Sequence, residues 1–96
     1  MAEQPEARLQ RKIVEALNLL PNCYVEKIHG SQFGKQKLDL MGAKEGKMFL
    51  LEVKTPGNTP TKKQLATMRL WQEKAGVYTE WVDSVEKAVS LISGLN

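Results

Sequence analysis

Leu38-Asp39-Leu40-Met41-Gly42-Ala43-Lys44-Glu45-Gly46-Lys47-Met48-Phe49-Leu50-Leu51-Glu52-Val53-Lys54 is the stretch that decides how this chain folds. Lys47 to Lys54 reads as a strand that is apolar from Met48 to Leu51 and again at Val53. A strand apolar on both faces belongs in the middle of a sheet covered on both sides. Gly42 to Gly46 predicts a hairpin turn, and Lys37 to Met41 predicts a second short strand, antiparallel to the first. Glu52 and Lys54 are two apart, so their side chains share a face. A carboxylate and an ammonium at the end of an apolar strand are costly to bury unless paired or coordinated. With the turn centred on Ala43 to Gly46, Asp39 comes level with Glu52. Two such carboxylates repel each other, and a hard divalent cation held by oxygen ligands relieves the repulsion.

Outward from this hairpin the pattern is helix, strand, then the two hairpin strands, helix, strand, helix. Leu9, Ile13, Ala16, Leu17 and Leu20 recur at helical spacing, predicting a helix from Pro5 to Leu19 that stops at Pro21-Asn22. Cys23 to Ile28 is rich in strand formers, and a polar loop with two glycines follows, from His29 to Gln36. Beyond Lys54, the loop Thr55-Pro56-Gly57-Asn58-Thr59-Pro60 ends the strand. Thr61 to Ala75 is predicted helical, with Leu65, Met68, Gln72 and Ala75 in line, Trp71 beside them and Gly76 as the stop. Val77 to Val82 reads as a fourth strand. Asp83 followed by Glu86 reads as a capping box opening a last helix buried through Val85, Ala88, Val89 and Ile92. A strand, a helix and a strand in succession imply a parallel crossover. The expected fold is therefore α/β: one domain over residues 1–96, a mixed central sheet flanked by helices.

Composition narrows the field. With 42% hydrophobic and 26% charged residues the chain is not a disordered one. The opening MAEQPEARLQ has no apolar core of a secretory leader, and no apolar run reaches the roughly 20 residues of a membrane span. A soluble, intracellular protein is expected. One cysteine, Cys23, and one histidine, His29, cannot make a zinc site, so any metal is held by oxygen. The net charge of +3 permits a polyanionic partner without demanding one.

Glu6 lies three residues before Leu9 and seven before Ile13, in line with the apolar stripe of the first helix, with Gln10 one turn on. Its alternative is a first-turn acid favoured by the helix dipole. Gln64 either lines the site or reaches back to the Thr61 amide in a capping box. Lys35, Lys37, Lys62 and Lys63 flank the acidic residues on two loops, as phosphate contacts or as ordinary solvated lysines. His29 reads as a loop residue rather than a base, Trp71 and Trp81 as packing or dimer contacts, and Cys23 as a small buried apolar group.

In order and spacing, Glu6-Ala7-Arg8-Leu9-Gln10, the glycine-bearing loop into Asp39-Leu40, Glu52-Val53-Lys54 and Gln64 resemble the PD-(D/E)xK nuclease superfamily. The closer likeness is to its VRR-NUC branch, the virus-type replication-repair nuclease domain. Leu38 stands where that family usually has a proline. The resemblance implies a restriction-endonuclease-like αβββαβ core and a metal-dependent DNA endonuclease. It implies that Asp39, Glu52 and the Val53 carbonyl hold Mg2+ or Mn2+, with Glu6 contributing directly or through water. Lys54 would orient the attacking water or offset charge on the phosphorus, and Gln64 would line the site. It further implies branched DNA, such as a Holliday junction or flap, as substrate, a homodimer, and an intracellular setting that includes a phage protein in a bacterial host. Two other readings stay open: a non-cleaving nucleic-acid-binding protein on the same fold, and a structural α/β protein that binds no metal.

Overall fold

The computed structural model describes residues 2–29 and 38–95. Helix α1 covers Pro5–Leu17, strands β1 Cys23–Lys27, β2 Leu40–Lys44 and β3 Lys47–Val53 follow, then helix α2 Lys62–Ala75, strand β4 Tyr78–Val82 and helix α3 Val85–Ser93. The four strands lie in the order β1-β2-β3-β4. Both hairpin pairings are antiparallel, and β3 pairs with β4 in parallel across the α2 crossover.

The central hairpin is tighter than the expected five-residue turn. β2 runs on to Lys44, and only Glu45 (φ 51°) and Gly46 (φ 82°) make the turn, both left-handed. Two such residues give the mirror-type turn whose twist matches the strands it joins. Gly42 belongs to the strand because Phe49 lies directly opposite it. A methyl group at Gly42 would sit 2.8 Å from the Phe49 ring and 2.4 Å from the Tyr24 carbonyl oxygen. Glycine is there for space rather than for a turn.

Alternation along the strands sorts the side chains onto two faces. Phe49, Leu51 and Val53 meet Ile13 and Leu17 of α1, Ala88 and Ile92 of α3, and Val25, Leu40 and Val82 of the other strands in the main core. On the opposite face Leu50 meets Leu38 and Met68 of α2, with Trp81 and Val77 packed alongside. As the sequence predicts, β3 is buried on both sides from Phe49 onward.

The ends differ in detail from expectation. α1 stops at Leu17 because Asn18 turns its side chain to the edge strand: Oδ1 accepts from Val25 N (2.8 Å) and Nδ2 donates to Val25 O (3.1 Å). Those main-chain groups of β1 would otherwise be open to another strand. α2 buries only Met68; Leu65, Trp71 (41% exposed) and Ala75 are not buried in its apolar line. Gly76 (φ 64°) ends α2, and Val77 donates back to the Trp71 carbonyl instead of entering β4. α3 is capped by Ser84, whose Oγ accepts from Lys87 N (3.0 Å), not by an Asp83–Glu86 box. A serine with extended backbone holds the first turn by the same physics one residue later.

Candidate active site

Asp39 immediately precedes the Leu40–Leu51 pair, which sets it level with Glu52. Its backbone is held on both sides: Asp39 N donates to Leu51 O (3.1 Å), and Ile28 N donates to Asp39 O (2.8 Å). Its side chain is fixed too, Oδ2 accepting from Val53 N at 2.8 Å. The β2–β3 register thus immobilises this carboxylate at the sheet end.

Glu52 is only 2% exposed. Its Oε2 accepts from Gln64 Nε2 (2.7 Å) and lies 3.4 Å from Lys54 Nζ. Its Oε1 is buried and has no partner among the described residues. Burial foremost, and then the charge of Asp39, push the Glu52 carboxyl up from its usual 4.5 to about 7, against the pull of Lys54. A buried oxygen without a partner among the described residues, on a carboxylate level with a second carboxylate across one strand pair, is the kind of donor set that a hard cation satisfies.

Lys54 follows on the same face, its backbone N still bonded to Val82 O (3.0 Å), so its largely buried ammonium is carried by the sheet. Gln64 plays both of the roles open to it. Its backbone N donates to Thr61 Oγ1 (3.1 Å), its Oε1 accepts from Thr61 N (2.9 Å), and its Nε2 donates to Glu52 Oε2. One amide closes a capping box and holds the carboxylate. Thr61 is therefore part of the site by proxy; the Thr-x-x-Gln spacing was the signal for it.

Glu6 sits exposed in the first turn of α1, and its charge reaches Glu52 as a minor repulsion. It does not join the other two acids closely: among the described residues no three His, Cys, Asp or Glu side chains cluster as a metal cage. The pair Asp39–Glu52 is the centre, with Glu6 at its rim. Val53 buries its side chain in the main core. Lys62 and Lys63 are exposed on the first turn of α2, whereas Lys35 and Lys37 lie outside the described residues. His29 is exposed beyond β1. Trp81 packs on the α2 face with Lys87 Nζ 4.4 Å from its ring centre.

No protein-family model matches the sequence, and no curated protein is similar to it. A solved structure described as a VRR_NUC domain does match, with a TM-score of 0.78 and 25% identity over 98% of this chain and 100% of that one.

Proposed function

We propose that this chain, which has the fold of a VRR_NUC domain from end to end, is a divalent-metal-dependent endonuclease that hydrolyses phosphodiester bonds in DNA. The observation that carries the reading is Glu52: a buried carboxylate with one oxygen unpartnered among the described residues, beside Asp39 and Lys54 at the end of a central strand. Asp39, Glu52 and the Val53 carbonyl would hold Mg2+ or Mn2+, with Glu6 adding charge through water. When bound, the ion supplies Lewis acidity to a phosphate oxygen and lowers the pKa of a water. The protein's own part is positional. Val53 N fixes Asp39, Gln64 takes one oxygen of Glu52 and leaves the other free, and Lys54 orients the water or offsets charge on the phosphorus.

Lys62 and Lys63, with Lys35 and Lys37, are proposed to grip phosphates on either side of the site. The preferred substrate is proposed to be branched DNA, a junction or a flap, because among the described residues no element is left over to read sequence. The protein is proposed to act as a homodimer inside the cell. The exposed apolar side chains of Tyr24, Met41 and Met48 supply a surface for a second copy. Among the described residues no helix is long and apolar enough to cross a membrane.

The test is incubation with labelled linear, flap and four-way junction DNA in Mn2+, Mg2+ or chelator. Metal-dependent scission, strongest on a branched substrate, is expected. Binding without scission would replace the proposal by a DNA-binding protein, and the absence of both would leave a structural domain.

A further inference from the structure

The amide of Gln64 faces Glu52 nitrogen-first, and what makes it do so is a residue bonded to Gln64 on its far side. A glutamine side chain can present either end to a neighbour. With the oxygen turned toward Glu52 Oε2, at the 2.7 Å now spanned by the hydrogen bond, two acceptors would repel. Thr61 removes that option. Its backbone N–H takes the Gln64 oxygen at 2.9 Å, and its hydroxyl holds the Gln64 backbone N–H at 3.1 Å. We infer that Thr61 is a positioning residue for Glu52, acting through Gln64 to leave only the amide nitrogen facing the carboxylate. The inference rests on the assignment of Glu52 to the reaction.

Two further features make this tether matter. The link from Lys54 to Thr61 is short and stiff. Asn58 N donates to Thr55 O (3.0 Å), Asn58 Nδ2 donates to Thr55 Oγ1 (2.7 Å), and Gly57 stands at φ 93° behind Pro56. Pro and Gly at those two places make a type II turn, preset before folding. The turn brings the chain to within three residues of Thr61. In addition α2 is thinly seated, with Met68 its one buried residue. No buried apolar side chain holds its first turn to the sheet, so the bond from Gln64 to Glu52 does. Hydrogen-bonded supports of this kind behind a ligating carboxylate change activity by about 10–100-fold when removed.

The full chain is tested as Thr61→Ala, Thr61→Gly, Thr61→Ser and Ser84→Ala. Ser84 caps α3 by the same kind of bond and is not part of the site, so it reports what a lost cap does by itself. Glycine costs an N-cap only a few tenths of a kcal/mol, so Thr61→Gly keeps the fold while losing the hydroxyl. Two quantities are read: the side-chain amide NMR resonances of Gln64 in metal-free protein, and steady-state cleavage with Mn2+. Thr61→Ala and Thr61→Gly keep the backbone N–H that takes the Gln64 oxygen but lose the hydroxyl that holds Gln64 N; they therefore loosen the first turn of α2 and are expected to shift the Gln64 amide protons toward the position of a free amide. They should lower kcat about tenfold with KM little changed, whereas Thr61→Ser restores both. Ser84→Ala should lower the melting temperature and leave both readouts alone. Unmoved Gln64 resonances in the Gly and Ala variants, or a kcat loss in Ser84→Ala as large as theirs, would overturn the inference. A wild-type protein with a shifted Gln64 amide but no cleavage of any DNA would sink the nuclease reading and leave the role of Thr61 standing.

Discussion

Glu52 lives at a disadvantage that folding imposes and that the proposed cation would remove. Its carboxyl rises from 4.5 to about 7 on folding. Between those two values the folded chain keeps a proton that the unfolded chain has lost. Stability therefore falls as pH rises through that window; the cost is absent below about 4.5 and complete above about 7, where it is on the order of 3 kcal/mol at most. Glu52→Gln should accordingly melt at a higher temperature than wild type at pH 8, with the difference closing toward pH 5; a constant difference across that range would refute the assignment. The same proton competes with metal, so Mn2+ affinity measured by calorimetry should strengthen as pH is raised from 5 to 8. Lys54→Ala takes away the ammonium that lies 3.4 Å from Glu52, and Asp39→Ala removes the opposite carboxylate. Both should lose metal-dependent cleavage while circular dichroism shows the fold intact, and full activity in either would end the proposed mechanism.

At the scale of elements, the hairpin and its neighbour β1 are fitted closely, while α2 is attached loosely. Gly42→Ala brings a methyl group against main chain and an aromatic ring, and should destabilise the protein by about 1–3 kcal/mol in urea titration. Asn18→Ala strips both hydrogen bonds from the outer edge of β1. A loss of about 1–2 kcal/mol is expected, together with a greater tendency to self-associate through the bared edge. α1 and α3 share the main core, whereas α2 rests on Met68, on Gln72 Nε2 donating to Thr79 Oγ1 (2.7 Å) and on the Gln64 tether. Native-state hydrogen exchange should therefore show α2 opening at a lower free energy than α1 or α3. Equal protection of the three helices would contradict this picture.

Over the whole molecule, the uneven distribution of helices leaves one part of the sheet bare. Tyr24 (64% exposed), Met41 and Met48 line a shallow groove of about 370 Å3 with Ala43 and Glu26, on the face that α2 only partly covers. Leu70 (55% exposed) adds an apolar side chain on α2 itself. A proposed dimer uses the sheet patch, so Met48→Lys should shift sedimentation toward the monomer; if the wild type is already monomeric at high concentration, the dimer proposal fails. The DNA binding proposed for Lys62 and Lys63 should weaken with salt, and their double alanine variant should show a shallower slope of log affinity against log salt.

What the sequence determined by itself was everything written in local period and order. The two-faced apolar run of β3 placed it in the sheet's interior. The Glu52–Lys54 spacing put both charges on one face, and the ordered set of Glu6, Asp39, Glu52, Lys54 and Gln64 carried the likeness to VRR-NUC domains that the fold match bears out. These are properties of neighbouring residues, which backbone geometry alone converts into direction. Tertiary structure decided the rest, because it turned on what lies opposite. Gly42 reads as a turn residue until Phe49 is seen across from it. The apolar line of α2 reads as buried until the sheet beneath it is seen to meet Met68 alone. Gln64 reads as a cap or as a site residue until one amide is seen to be both, since only the fold brings Thr61 and Glu52 to its two ends.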